Sequence, residues 1–204
     1  MIVKDAFRFL IPLLVSSVLA FVLGLYPAAF LVMLLAAFVA FFFRNPKREI
    51  PSDPSVIVSP ADGRVVKVER VGSVTKLSIF LSIFDVHVNR SPIAGCIEAI
   101  DYKKGKFKAA FNHAASVENE RNVIMVAQGD IQLVFTQIAG IVARRIVCWK
   151  RVGDTVAKGE LVGLIRFGSR VDVLFPAGTE ATVGPGVRVR GGSSAIGVIK
   201  DRNR

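Results

Sequence analysis

The feature that most constrains this chain is an uncharged stretch near its N-terminus, running from Phe9 to Phe43. As a single helix rising about 1.5 Å per residue, these 35 residues would extend well beyond a hydrocarbon core of ~30 Å. Gly24-Leu25-Tyr26-Pro27 interrupts the stretch near its middle, because glycine and proline both disfavour a helix interior. The pattern therefore predicts an α-helical hairpin within residues 1–43, with helices at Leu10–Leu25 and Ala28–Phe43.

Basic residues flank both ends of this predicted hairpin: Lys4 and Arg8 precede it, and Arg44, Lys47 and Arg48 follow it. The positive-inside rule then predicts a cell-membrane protein with both ends of the hairpin, and the rest of the chain, on the cytoplasmic face. Each half is slightly short for a full span, so two short spans and a re-entrant hairpin stay open as alternatives. A signal peptide is disfavoured, because the apolar stretch is too long and no convincing small-residue cleavage site follows it.

The formal net charge of +11 indicates that the protein has a negatively charged partner. No Lys/Arg block and no alternation of basic with aromatic residues occurs, so we expect no nucleic acid partner and assign the excess to anionic lipid headgroups. Cys96 and Cys148 lie far apart without the spacing of a metal or redox motif. They are predicted to be ordinary thiols of a reducing compartment, and no metal site is expected.

Residues 44–55 contain three prolines among polar residues and are predicted to be a linker. The domain from 56 to 204 has short apolar runs separated by turn signals about every ten residues, which predicts a mainly β, barrel-sandwich-like fold with little helix. Residues 109–120 are either a short helix or an ordered loop. Val152–Gly163 is typical of the hairpins in biotinyl and lipoyl carriers, with Ser59–Val65 as a candidate quasi-repeat. The predicted strands are Val56–Val58, Arg64–Glu69, Leu77–Phe84, Ile97–Tyr102, Val123–Ala127, Ile131–Ile138, Ile141–Trp149, Leu161–Arg166 and Val171–Phe175.

A Gly168-Ser169 dipeptide lies in the middle of an otherwise good strand pattern over Arg166–Pro176. Glycine in a strand often marks a bulge or a close backbone approach. Here it also leaves the Gly168 carbonyl unshielded beside the Ser169 hydroxyl. Taken alone, the dipeptide is more typical of a bulge with a surface serine than of a reactive bond.

Other polar residues in the domain are candidates for chemistry. Asp62 lies at an Asp-Gly turn that enters a strand, and His87, one of two histidines, follows an apolar strand. His113 precedes the polar run Ser116–Asn122. Arg145 is the second of two arginines after a strand, at either a polar rim or an anion site. Each has an ordinary structural explanation by itself.

Six segments in order resemble a known family. They are Phe42-Phe-Arg-Asn-Pro46, Ser59-Pro-Ala-Asp-Gly63, Asp85-Val-His-Val-Asn-Arg-Ser-Pro92, Glu118-Asn-Glu-Arg-Asn122, Gln137-Ile-Ala-Gly-Ile-Val-Ala-Arg-Arg-Ile146 and Arg166-Phe-Gly-Ser-Arg-Val-Asp172. The set is similar to the short form of the phosphatidylserine decarboxylase proenzymes, which are pyruvoyl-dependent lyases of phospholipid synthesis. The resemblance extends from about Phe42 to Pro176.

The resemblance implies self-cleavage at Gly168-Ser169 into a β chain of residues 1–168 and an α chain of residues 169–204. It implies that Ser169 becomes a pyruvoyl cofactor, which forms a Schiff base with phosphatidylserine of the bilayer and releases carbon dioxide and phosphatidylethanolamine. Serine needs a base, for which His87 is the candidate, with Asp62 holding its tautomer. Family members often form homodimers.

Two departures from the longer family members concern arginines. Where those members have a second histidine, this chain has Arg90, so either His87 takes both roles or another group, such as His113, replaces it. Where they have Leu-Gly-Ser-Thr, this chain has Phe167-Gly-Ser-Arg170. We predict that Arg90, Arg145 and Arg170 contact the phosphate or carboxylate of the substrate.

Alternatives to this interpretation concern the cleaved bond and the function. The Gly192-Ser193 bond is a second candidate, but its flanks lack the Phe-Gly-Ser context. A non-catalytic, membrane-tethered barrel-sandwich adaptor or carrier would explain Val152–Gly163, although no Met-Lys-Met lies at a hairpin tip. A membrane-bound serine hydrolase would require a nucleophile elbow, which the sequence lacks.

Overall fold

The computed structural model describes residues 1–105, 119–140, 145–166 and 168–200. The chain divides into two compact units, Met1–Lys47 and a second unit that begins at Arg48. The predicted helix or loop at residues 109–120 and the first part of the predicted strand at residues 141–149 lie almost wholly outside the described residues. His113 and Phe167 also lie outside them.

The N-terminal unit is an antiparallel pair of helices. A short 3-10 turn, Lys4–Ala6, leads into α1 (Phe7–Val22), and α2 follows at Tyr26–Phe42. Gly24, with φ 74°, turns the chain between them, and a proline occupies the first turn of α2, where its missing N–H costs no hydrogen bond. The two ends of the hairpin meet through the Val3 N–H, which donates to the Phe43 carbonyl at 3.1 Å.

Helix length and surface both fit a membrane environment in this unit. Residues Lys4–Val22 form a helix long and apolar enough to cross a bilayer, while Tyr26–Phe42 is apolar but shorter. Large apolar side chains are exposed on both helices, for example Val22 at 75% and Phe30 at 72%. A helix that is apolar on its outer surface is typical of contact with lipid rather than water.

In the residues that the structure describes, the second unit has fourteen strands in three antiparallel sheets. The largest sheet has eight strands in the order β13-β2-β3-β11-β7-β6-β5-β9, and the two small sheets are β1-β14-β12 and β4-β10-β8. The strands are β1 (Val56–Val58), β2 (Gly63–Val71), β3 (Val74–Leu81), β4 (Val88–Arg90), β5 (Gly95–Lys103), β6 (Arg121–Gln128), β7 (Ile131–Ala139), β8 (Ile146–Cys148), β9 (Thr155–Val156), β10 (Leu161–Ile165), β11 (Ser169–Leu174), β12 (Thr179–Ala181), β13 (Arg188–Val189) and β14 (Ala195–Ile199).

The core lies against one face of the large sheet. Alternate residues of its central strands are fully buried there, including Leu77 and Ile79 of β3, Phe135 of β7 and Val171 of β11. Because side chains alternate between the faces of a strand, the intervening residues of β11 point to the other face. The strand β11 occupies the middle of this arrangement, between β3 and β7.

The predicted mainly β fold is confirmed, as are the two apolar N-terminal helices. Several of the shortest strands, such as β4, β9 and β13, were missed because a period of two cannot be recognised in two or three residues. The predicted hairpin at Val152–Gly163 was wrong in its pairing. Its strand β9 pairs with β5, whereas β10 pairs with β4 and β8, so the two strands belong to different sheets.

Candidate active site

Ser169 begins strand β11 and lies between two neighbouring strands. It is directly opposite Leu81 of β3 and Ala139 of β7, both members of the buried core, and its own exposure is 0%. Within the described part of the chain, the Ser169 hydroxyl has no hydrogen-bond partner. A buried polar atom without a partner is costly, and in a native fold it calls for a functional explanation.

Gly168 has a backbone conformation that favours glycine, directly before Ser169. Its φ of 56° lies in the left-handed region, which residues with a Cβ enter only at a cost of about 1–2 kcal/mol. A Cβ at this position would meet no described atom within 4 Å. The glycine is therefore required by backbone conformation and not by lack of space.

His87 is brought to the same end of β10 as the Gly168-Ser169 bond. Its carbonyl accepts a hydrogen bond from the Ile165 N–H at 3.2 Å, and Ser169 follows four positions later along the chain. The His87 side chain is buried, with 1% exposure, and its Nδ1 lies 2.9 Å from the Asp85 carbonyl oxygen. A carbonyl can only accept, so Nδ1 carries the proton and the neutral ring keeps its basic lone pair on Nε2.

A chain of buried amides lies beside β11. Asn122 donates through Nδ2 to Gln137 Oε1 at 2.9 Å, and Gln137 donates through Nε2 to Asn89 Oδ1 at 2.8 Å. Gln137 is directly opposite Val171, two residues after Ser169. The direction of these two bonds leaves Asn89 Nδ2 as a buried donor with no partner in the described part of the chain. The interior near Ser169 is thus polar, with fixed hydrogen-bonding directions.

Two residues of the Glu118–Asn122 motif support the strand opposite Ser169. Asn119 donates through Nδ2 to the Ala139 carbonyl at 2.7 Å, and the Glu120 carbonyl accepts from the Ala139 N–H at 3.0 Å. The Glu120 carboxylate also accepts from the Ile146 N–H at 3.1 Å. This motif therefore ties the end of β7 to the start of β8, next to the Ser169 position.

Asp62 lies in a different set of contacts from the one predicted. Its carboxylate binds Arg48 in a bidentate ion pair of 2.8 and 2.9 Å and accepts from the Gly191 N–H at 2.8 Å. The predicted hydrogen bond between Asp62 and His87 is not among these contacts, and the Asp85 carbonyl takes the place beside Nδ1. Arg48 and the Gly191 N–H hold the Asp62 carboxylate instead, so its predicted influence on His87 stays a prediction.

The three arginines predicted to bind substrate lie in three places. The Arg145 carbonyl accepts from the Arg166 N–H at 3.2 Å, which puts Arg145 at the end of β10 that leads to Ser169. Arg90 donates a hydrogen bond to the Gly159 carbonyl at 2.8 Å. Burial, and next the positive charge of nearby Arg48, lower the pKa of Arg90, whereas the carboxylate of Asp62 raises it. Arg170 pairs with Asp172, 2.9 Å from Nε to Oδ1, on the sheet face opposite to Ser169.

Sequence reasoning missed the amide chain and Arg166. Gln137 had a detectable signal, because it occupies the inward register of β7 after Leu133 and Phe135, where an apolar residue is expected. Arg166 is half-buried three residues before Ser169. Nothing in the local sequence near Asn89 indicated that its partner would be Gln137, 48 positions away.

Comparison with known proteins identifies relatives of this chain. The family model described as phosphatidylserine decarboxylase matches residues 35–197. A phosphatidylserine decarboxylase proenzyme of Solibacter usitatus is 55% identical over 170 residues, which is 83% of each chain. Another, of Carboxydothermus hydrogenoformans, is 46% identical over 205 residues, covering 97% of this chain and 96% of the relative. The chain therefore belongs to the phosphatidylserine decarboxylase family.

Proposed function

We propose that this protein is a phosphatidylserine decarboxylase that cleaves its own chain at Gly168-Ser169 and so generates a pyruvoyl group from Ser169. The observation that carries the proposal is the Ser169 hydroxyl, buried without a hydrogen-bond partner in the described part of the chain and next to a glycine at φ 56°. The relatives are named as proenzymes, which agrees with a processing step. The products are a β chain of residues 1–168 and an α chain of residues 169–204.

In the proposed cleavage, Ser169 Oγ attacks the Gly168 carbonyl carbon, and the bond from that carbon to the Ser169 nitrogen breaks. The freed nitrogen takes a proton, and an ester replaces the amide. Removal of the Ser169 Cα proton then breaks the Cβ–O bond, and Gly168 leaves as a carboxylate. Water hydrolyses the resulting dehydroalanine to a pyruvoyl group and ammonia, so all atoms of the serine are accounted for.

His87 is the proposed base for the first step. The Asp85 carbonyl holds Nδ1–H, so the Nε2 lone pair is the one available to take the Ser169 hydroxyl proton. The Asp62 carboxylate pairs with Arg48, so its predicted stabilisation of the charged His87 ring is tested separately and is not a step of this proposal.

The surroundings of Ser169 fit a pyruvoyl group. The polar interior formed by Asn89, Gln137 and Asn122 offers hydrogen-bonding groups beside β11. Arg145 supplies a positive charge near the N-terminus of the proposed α chain. When formed, the group supplies an electrophilic carbonyl that binds the amine of phosphatidylserine covalently and takes up the electron pair released with carbon dioxide. Arg145 is then the best placed of the three predicted arginines to bind the phosphate or carboxylate, while Arg90 and Arg170 remain candidates.

The proposed substrate lives in a bilayer, and the N-terminal unit suits that location. We propose that the apolar hairpin associates with the cell membrane and that the second unit lies on the cytoplasmic side, because basic residues flank both hairpin ends. A homodimer is proposed from the family resemblance alone.

The test is the intact mass of the purified full-length protein. We expect two fragments divided between Gly168 and Ser169, with the smaller one carrying a pyruvoyl mass in place of an N-terminal serine. The Ser169→Ala variant should stay one chain and release no carbon dioxide from phosphatidylserine. The matched control Ser193→Ala should be cleaved as the natural chain is.

Three results would separate the alternatives. Fragments divided at Gly192-Ser193 would keep the proposed activity and refute the proposed site. A single chain without decarboxylase activity would overturn the proposal. Cleavage without release of carbon dioxide from phosphatidylserine would support the processing step and refute the substrate.

A further inference from the structure

The turn that leads to His87 carries the most exposed large apolar side chain of the described part of the second unit. Phe84 is 66% exposed and its neighbour Ile83 is 41% exposed, between the end of β3 and the buried His87. Scattered exposed apolar residues are ordinary, but two adjacent ones at a turn tip beside a candidate active site are not.

The turn is held rigid by the side chain of Asp85. Asp85 Oδ2 accepts hydrogen bonds from the Ser82 N–H and from the Ser82 hydroxyl, both at 2.8 Å. The Asp85 N–H donates back to the Ser82 carbonyl at 3.0 Å. Because these bonds fix the backbone in advance, holding Ile83 and Phe84 in contact with a partner would cost little additional ordering entropy.

Basic side chains lie next to the same turn. Arg188 Nη1 is 3.5 Å from Asp85 Oδ1, and the Arg188 side chain is 70% exposed. Arg64 is exposed and directly opposite Arg188, on the neighbouring strand β2. Like charges at directly opposed positions of a sheet repel each other. With Arg190, also exposed, the neighbourhood holds three arginines beside the carboxylates of Asp85 and Asp62, and Asp62 already pairs with Arg48, so the neighbourhood favours an anionic partner.

We propose that Ile83, Phe84, Arg64 and Arg188 form a docking patch for the surface of an anionic bilayer. Apolar side chains at the tip would enter the boundary between headgroups and acyl chains, to a depth of about 5–10 Å, while the arginines bind lipid phosphates. Since Asp85 links the turn both to Arg188 and, through its carbonyl, to the His87 ring, docking presents the candidate active site to the headgroup layer. The choice of a bilayer over a protein partner rests on the proposed function, whose substrate is a membrane lipid.

The test places a tryptophan at the tip of the patch in the full-length protein. The Phe84→Trp variant is reconstituted with vesicles of phosphatidylcholine and phosphatidylglycerol in equal parts, with bromine on the acyl chains. The matched control is Val71→Trp, because Val71 is an apolar residue with 48% exposure at the opposite end of the β2–β3 pair from Phe84. The unsubstituted chain gives the contribution of its single tryptophan, Trp149.

We expect bromine to quench the emission of Phe84→Trp several-fold more strongly than that of Val71→Trp. Adding Arg64→Glu and Arg188→Glu to the Phe84→Trp variant should reduce the quenching and remove its dependence on salt. Equal quenching at positions 84 and 71 would overturn the proposal. So would an emission shift of Phe84→Trp that depends on protein concentration and not on vesicles, since it would indicate contact with a second copy of the chain.

This result does not depend on catalysis. Phosphatidylglycerol has no primary amine, so quenching reports docking whether or not the protein decarboxylates phosphatidylserine. Failure of the proposed function would therefore leave the quenching at position 84 intact, whereas failure of the docking proposal would abolish it in a chain that still cleaves itself.

Discussion

The Gly168-Ser169 and Gly192-Ser193 bonds look alike in the chain but differ in their surroundings. The glycine has a positive φ in both, 56° at Gly168 and 79° at Gly192. Ser169 lies within a sheet, fully buried between two strands. Ser193 is half-buried in a turn, where its N–H donates to the Arg190 carbonyl at 3.1 Å. A left-handed glycine before a serine is therefore not what distinguishes the candidate site.

The two glycines are required for different physical reasons. At Gly192 a Cβ would lie 2.9 Å from Arg90 Cδ, and the Gly192 N–H donates to the Ser59 carbonyl at 2.8 Å, so this glycine permits close packing. At Gly168 a Cβ would meet no described atom within 4 Å. The first region, around Gly168-Ser169, uses its glycine for a backbone conformation next to a buried hydroxyl. The second region, around Gly192-Ser193, uses its glycine to bring the chain close to Arg90.

The largest expected effect comes from removing the proposed base of the first region. His87→Ala should slow cleavage about 10²–10⁴-fold, because general base catalysis typically contributes this much. The measurement is the rate at which fragments appear from freshly synthesised chain. Added imidazole should restore part of the rate, and Arg190→Ala, in the second region, should leave it unchanged. A His87→Ala cleavage rate within a few-fold of the natural rate would show that His87 is not the base, and the two regions would then not differ in this respect.

Asp62 accepts a hydrogen bond from the Gly191 N–H and so belongs to the second region. Its substitution tests whether that region affects cleavage in the first. Asp62→Ala leaves Arg48, with 9% side-chain exposure, without its carboxylate, and should lower the free energy of unfolding by about 3 kcal/mol. From these contacts we expect cleavage to continue in the folded fraction. Denaturant unfolding and the cleavage rate are measured together. Near-normal stability with a large loss of cleavage would instead support the role that the sequence predicted, stabilisation of the His87 ring.

Gly168→Ala sharpens the role of backbone conformation, with Gly72→Ala as its matched control. Gly72, in the exposed turn between β2 and β3, also precedes a serine, and its φ is 62°. Each substitution should cost about 1–2 kcal/mol of stability, because alanine is strained in the left-handed region. Only Gly168→Ala should slow cleavage as well. Equal cleavage rates in the two variants, measured beside their melting temperatures, would show that the conformation at Gly168 is not needed for the reaction.

The smallest effect concerns Glu160, which is next to Gly159 and the Arg90 contact. Hydrogen bonds from Lys150 and then from the Ala157 N–H lower the pKa of Glu160 below its usual 4.5. A lowered pKa in the folded state stabilises the protein above the usual value, and this contribution disappears as the pH falls through the lowered pKa.

Glu160→Gln should therefore cost only a few tenths of a kcal/mol at neutral pH, since the pair is partly exposed to solvent. The difference from the natural protein should shrink below about pH 4.5, with cleavage at neutral pH unchanged. Denaturant unfolding at several pH values measures it. A difference that grows on acidification would contradict the assignment of the stabilising contact to the ionised carboxylate.

Local patterns in the sequence were sufficient for much of the fold. The break at Gly24–Pro27 predicted two helices, and α1 and α2 end within a few residues of the predicted bounds. Strands such as β6 and β7 were predicted because their buried residues alternate over most of their length. These features depend on residues close together in the chain, so they are readable without knowledge of the tertiary structure.

Contacts between distant residues were the part that could not be predicted. The link from Gln137 to Asn89 joins β7 to β4, which are in different sheets, and no local pattern specifies it. The short strand β9 pairs with β5, which is why the expected hairpin did not form. A shift of one residue in any such register moves a side chain to the opposite face.

By itself, the sequence determined the order of the elements, the apolar hairpin and the candidates Gly168, Ser169 and His87. Only the tertiary structure decided which side chains meet. It pairs Asp62 with Arg48 and with the Gly191 N–H, and it joins Gln137 to Asn89. The physical reason is that helix breaks and strand periods arise from neighbouring residues, whereas these contacts depend on sheet register and strand order, which many weak interactions across the whole domain settle together.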